Sequence, residues 1–305
     1  MKQKKRKRLL NLLVTLAMVT GLMQGISLTA YADGEHTHDG VTFVEWTDAL
    51  AQEQWDNSGR TAANSLPVEA GNYYLTQDVT LTDQWNIPSG TTNLCLGGKT
   101  ITGNLSESAN HDYSVVFIEG GSTLNLCDDE EGAGKIVSEE YTFTEEGRKF
   151  TVMVTDVHVY NSTFNMYGGT LCATDGKQIV NGVVVNGGTF TMAGGTIRGA
   201  RLSGVFVGSR GGVFTMNGGT ITGNRALHGG GVAVDENGVF TMNGGSIAGN
   251  EAFFIETKDA VYKGGQGGGV YVEAGGVFTM NGGSITGNGW RSNRWNNGVR
   301  TWSYC

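Results

Sequence analysis

The sequence predicts an all-β chain wound as a right-handed parallel β-helix of about seven coils, with a short N-terminal cap. Three observations point there. The segment GGVFTMNGGTITGN at 211–224 returns as NGVFTMNGGSIAGN at 237–250 and as GGVFTMNGGSITGN at 275–288. Each copy holds three short runs of alternating apolar and polar residues, the mark of strands with one buried face. Fifty glycines against two prolines in 305 residues supply tight turns, whereas a disordered or collagen-like chain brings proline with its glycine.

Taken in order, residues 1–32 read as a secretory signal peptide. MKQKKRKR is basic, LLNLLVTLAMVTGLM is apolar, and AYA offers small residues for cleavage after Ala32. Gly21, Gln24 and Gly25 break the apolar run, which is short for a membrane span. Removing six positive charges and no acids takes the formal charge from −8 to −14. So acidic a chain repels phosphate backbones and anionic lipid, so neither nucleic acid nor membrane insertion is expected. The expected location is extracellular, free or at the cell surface.

Residues 33–78 are expected to form an N-terminal segment and cap. EHTHD at 35–39 places His36 and His38 among carboxylates, just beyond the cleavage site, where a mobile end is expected and no metal is assigned. VEWTDALAQEQW at 44–55 has a helical rhythm suited to a lid over the first coil.

The repeats fill 79–289. Phe164, Phe190, Phe214, Phe240 and Phe278 open successive F-x-M-x-G-G lines, at steps of 26, 24, 26 and 38 residues. Two earlier lines are aligned from Leu94 and Leu124. A period near 25 with three strands and three corners excludes leucine-rich and hexapeptide repeats, whose apolar marks fall elsewhere. Stacking coils at ~4.8 Å puts like on like, and parallel crossovers are overwhelmingly right-handed. Three inner columns follow: Leu94, Leu124 and the phenylalanines; Leu96, Leu126 and Met166 to Met280; Ile101, Ile136, Leu171 and the later isoleucines. Asn224, Asn250 and Asn288 are expected to take left-handed turns and to bond their amides from coil to coil.

These lines resemble the right-handed parallel β-helix proteins of the pectin-lyase-like superfamily. More narrowly, F-T-M-x-G-G-T-I-x-G-N resembles exported Gram-positive surface proteins, whose usual opening is similar to AGNYYLTQDVTL at 70–81. The resemblance covers about residues 70–289. Its enzymes cut acidic polysaccharides, and a lyase of that kind implies Asp residues holding Ca²⁺ with a basic residue nearby. Here the outward positions carry Thr191, Thr215, Thr241 and Thr279 on one strand and Arg198, Thr222, Ala248 and Thr286 on another. Asp235 and Glu273 are the nearest acids in register, taken to lie one position apart. No catalytic residue and no cofactor is therefore assigned.

Other segments offer candidates. DDEE at 128–131, with Glu139, Glu140, Glu145 and Glu146, reads as a solvated acidic insertion. Residues 251–266 add 12 residues to one coil as a long corner loop, where Phe253, Phe254 and Tyr262 either stack on a ligand or tuck against the wall. Cys95 and Cys127 fall on adjacent coils at close offsets, which leaves a disulfide and two free thiols as alternatives. Cys172 should point outward. WRSNRWNNGVRTWSYC at 290–305 is an atypical tail that departs from the repeat, either as a cap or as a truncated or frame-shifted line. The functional expectation is a non-catalytic adhesive module for carbohydrate or host extracellular matrix. The rivals are a polysaccharide lyase or glycosidase and a bare stalk.

Overall fold

The computed structural model describes residues 36–38, 40–58, 66–105, 113–129, 133–138, 140–145, 147–152, 154–173, 179–256, 261–262, 265–296 and 299–304. The expected signal peptide, Cys305 and four acids of the insertion (Glu130, Glu131, Glu139, Glu146) lie outside them.

The chain is a parallel β-helix. Three parallel sheets of nine, eight and seven strands run its length, and the chain visits them in a fixed rotation. One coil shows the rule. Ala200–Val207 lies in the valine sheet, Val213–Met216 in the phenylalanine–methionine sheet, and Thr220–Thr222 in the isoleucine sheet. The strand pairs along these sheets are parallel, and apart from a register shift between Ile179 and Asn181 in the valine sheet each residue lies over its counterpart in the next coil.

The interior is therefore columnar. Phe164, Phe190, Phe214, Phe240 and Phe278 stack with centroids 4.7–5.0 Å apart and planes within 13°. That is the strand spacing itself. Met166 to Met280 and Leu171 to Ile285 form the other two expected columns.

The first repeat needs a correction. Leu94 pairs with Leu126, not Leu124, and Thr92 takes the phenylalanine position. The true motif match is TTNLC over TLNLC. Leu96 lies beyond the strand, buried at the corner near Gly169. Thr92 is fully buried at that position.

The glycine pairs serve close approach. At Gly219 φ is +79°, and an added Cβ would lie 2.6 Å from the Met192 methyl and 2.8 Å from the carbonyl oxygens of Gly194 and Gly195. Only glycine meets both demands. The asparagines after such glycines are not left-handed, contrary to expectation. The left-handed residues are Gly223, Gly249 and Gly287 themselves. That turn sends the following asparagine inward, where its amide bonds the next coil: Asn224 Nδ2 donates to Asn250 Oδ1 (3.0 Å) and Asn250 Nδ2 to Asn288 Oδ1 (3.0 Å).

The N-terminal cap is part strand. Val44–Trp46 adds to the sheet beside Asn72–Leu75, and the helix begins only at Asp48 (Asp48–Ser58). Alternating Val44 and Trp46 suit a sheet edge. Thr47 supplies the helix stop on its N-terminal side, its hydroxyl accepting from the Leu50 amide. The helix buries Ala51 and Gln54, and Ala51 and Leu50 join the core.

The segment 251–266 is not a simple loop. Glu251–Glu256 pairs in parallel with Arg225–Ala226 and with Gly289–Asn296, and turns back through Val261–Tyr262. The atypical C-terminal segment continues this fourth sheet as an antiparallel pair, Gly289–Asn296 with Val299–Tyr304.

One buried acid sets a pH response. Asp156 has no solvent exposure, and its carboxyl accepts a hydrogen bond from the Ser138 hydroxyl. Burial drives its pKa well above 3.8, so the folded chain keeps the proton. A proton held by the folded state and released by the unfolded one makes stability fall as pH rises above ~4, by up to ~1.4 kcal/mol per pH unit until the folded pKa is passed. Asp156→Asn should remove that slope and melt higher at neutral pH. Parallel slopes for the two proteins in denaturant melts at pH 4 to 8 would refute it.

Candidate functional site

Outward columns differ sharply between the sheets. On the phenylalanine–methionine sheet the column runs Asn72, Asn93, Asn125, Asn165, then Thr191, Thr215, Thr241 and Thr279. Its asparagine amides bond one to the next, from Asn165 to Asn125 (2.8 Å) and Asn125 to Asn93 (2.6 Å). Such a ladder satisfies itself and leaves little for a ligand.

The valine sheet is different. Its outward column reads Asn86, Phe117, His158, Val184, Phe206, Ala233, Tyr271. The Phe117 and His158 rings meet edge to face at 5.2 Å. Burial holds His158 below its ordinary pKa, so it presents a neutral ring.

At the far end of this column lies a groove of about 400 Å³. Ala233 forms its floor between Phe206 and Tyr271, two strand spacings apart at roughly 9–10 Å. Leu202 and His228 stand at the sides, and the His228 ring lies 4.9 Å from that of Tyr271. Asp235 and Glu273 close the other side. They follow the paired Val234 and Val272, so they occupy the same position on neighbouring coils rather than positions one apart. Tyr271 donates its hydroxyl to Glu273 (2.7 Å), and this bond, with the Ala274 amide, lowers the Glu273 pKa. The Tyr271 hydroxyl is correspondingly raised.

Of the predicted aromatic trio only the Phe253 side chain is described, and it does not line this groove. Phe253 is half-buried beneath the Arg225 guanidinium at 5.9 Å, and Arg225 also pairs with Glu251 at 3.2 Å. The Phe254 and Tyr262 side chains lie outside the described residues. Sequence reading missed Phe206 and Tyr271 because they occupy the middle of V-x-V, where no one residue type repeats: the other copies hold Phe117, His158, Val184 and Ala233. Aligning that middle position would have revealed the stripe.

A second cluster sits near the N-terminus. His38 lies in a small antiparallel ribbon, Thr37–His38 with Val41–Thr42, and His36 directly precedes it, where a free end was expected. His36 stacks on Tyr74 (4.3 Å, 6°) and His38 meets Phe43 edge to face (4.8 Å). The ribbon covers Cys95 and Cys127, which pair in register on the outer face of adjacent strands. Of the two alternatives considered for them, the structure holds both as free, buried thiols. Hydrogen bonding to Cys127 and burial push the Cys95 thiol far up, with His38 opposing. Burial lowers His36, against the attraction of Asp129.

The DDEE segment is not merely solvated. Asp128 accepts from the Gly98 and Gly134 amides (both 2.8 Å) and ties two corners together. Asp129 reaches His36 (3.1 Å) and His38 (3.0 Å). Cys172 holds an outward strand position yet is buried.

No family model matches the chain, no curated protein matches it, and no solved structure matches it. No helix among the described residues is long and apolar enough to cross a membrane.

Proposed function

We propose that this chain is an exported surface module of the pectin-lyase-like kind that binds carbohydrate without cleaving it. The observation that carries the reading is the groove in which Phe206 and Tyr271 flank Ala233 while His228, Asp235 and Glu273 line the edges. Two aromatic side chains flanking a small apolar residue suit the apolar faces of sugar rings, and the neighbouring polar groups suit their hydroxyls. The two carboxylates repel acidic glycans, so the ligand class is a neutral or amino-sugar polysaccharide. This argues against the lyase alternative, whose substrates are acidic. A glycosidase needs one carboxyl that keeps its proton. Glu273 is held ionised by Tyr271 and the Ala274 amide, which disfavours it as that acid.

The test is binding of the full chain to a panel of neutral, amino-sugar and acidic polysaccharides, with product analysis of each mixture. Tyr271→Ala should weaken binding at least tenfold, about 1.4 kcal/mol, and Phe253→Ala should leave it unchanged. Binding that survives Tyr271→Ala, a preference for acidic glycans, or release of cut products would each refute the reading.

A further inference from the structure

We propose that His36, His38, Cys95 and Asp129 form a structural Zn²⁺ site that fastens the N-terminal ribbon to the outer face of the helix. One donor atom from each residue lies within 4.8 Å of all the others. Zinc bonds of ~2.0–2.3 Å to nitrogen, oxygen and sulfur require donor separations of roughly 3.3–3.8 Å. The four atoms need only small side-chain rotations to reach a tetrahedron. Two imidazoles, a thiolate and a carboxylate select zinc over calcium or magnesium, which take oxygen alone.

Hydrogen-bond accounting supports a cation at the centre. The His36 and His38 Nε2 atoms face each other at 2.9 Å, and each also faces an oxygen of Asp129. With Asp129 ionised, two Nε2–H groups would meet head to head. If either nitrogen lacks its proton, its lone pair confronts a carboxylate oxygen. No such placement of protons makes all three contacts attractive, whereas a metal makes every donor atom attractive. Charge agrees as well. A divalent ion with one thiolate and one carboxylate is neutral, which suits donors that are 0–14 % exposed.

The ribbon also needs a fastening. Its paired strands are two residues each, too short to persist alone. His36 comes from the ribbon's start, Cys95 from one coil and Asp129 from the next, so a single ion joins three separate segments. A depression lined by His36, Tyr74, Lys99 and Asp129 opens onto the cluster and gives the ion a path in. Binding releases the Cys95 thiol proton to solvent, leaving a thiolate–metal bond.

The test uses the purified full chain. Elemental analysis should find one zinc per chain after equilibration and gel filtration. Co²⁺ in its place should give a sulfur-to-cobalt charge-transfer band and visible bands of tetrahedral intensity. Cys95→Ser should abolish the charge-transfer band, Cys127→Ser should retain it, and His38→Ala should weaken Zn²⁺ binding at least tenfold. Should Cys95→Ser fail to fold, alkylation of the unaltered chain decides the matter: Zn²⁺ should protect Cys95, read by peptide mass. A charge-transfer band that survives Cys95→Ser, equal alkylation with and without Zn²⁺, or a Cys95–Cys127 disulfide in the purified chain would overturn the site.

Discussion

Phe214→Ala lowers the stability of the chain by about 3–5 kcal/mol, the range for removing a fully buried aromatic side chain. Phe214 has no solvent exposure and touches a ring on each side, Phe190 at 4.8 Å and Phe240 at 4.7 Å. Truncation therefore loses the buried area and two stacking contacts, and it leaves a hole the neighbours cannot close. Their backbones are pinned by parallel ladders above and below. Phe278→Ala costs less, because that ring ends the column and is only part-buried. Chemical denaturation of both variants checks the order. Equal losses would mean that position along the column does not matter.

Asn250→Ala costs about as much, roughly 3–5 kcal/mol, although no apolar core is lost. Its Nδ2 donates to the Ile221 carbonyl (2.8 Å), and its Oδ1 accepts from the Asn224 amide (3.1 Å) and side chain (3.0 Å). Alanine orphans a backbone donor and a backbone acceptor at a site without solvent, each costing ~1–3 kcal/mol. Asn250→Asp should not rescue it, because it removes the donor and buries a charge. A melting curve for either variant that overlays the unaltered chain would exclude a structural role for the ladder.

How much of this was legible follows from what repeats. The phenylalanine, methionine and isoleucine columns recur at fixed offsets, so their stacking could be read directly from the text. The first coil was misaligned by two residues because LCL mimics the later pairs, and register depends on the strand, not on the nearest leucine. The helix start was placed too early because Val44 and Trp46 fit either period. The sites were harder. Tyr271 stands out only once the middle residue of V-x-V is known to face the same groove as Phe206. Cys95 and Asp129 are 34 positions apart and meet the histidines only because coils stack. No local motif announces such a cluster.

The most direct test of coil-on-coil stacking is a double-mutant cycle within the phenylalanine column, using leucine replacements that keep the fold. Phe214→Leu with Phe240→Leu should show a coupling of about 0.5–1.5 kcal/mol, as touching rings do. Phe214→Leu with Phe278→Leu, two coils apart, should be additive to within about 0.5 kcal/mol. Additivity for the adjacent pair, or equal coupling for both pairs, would contradict the stacked register on which both proposed sites depend.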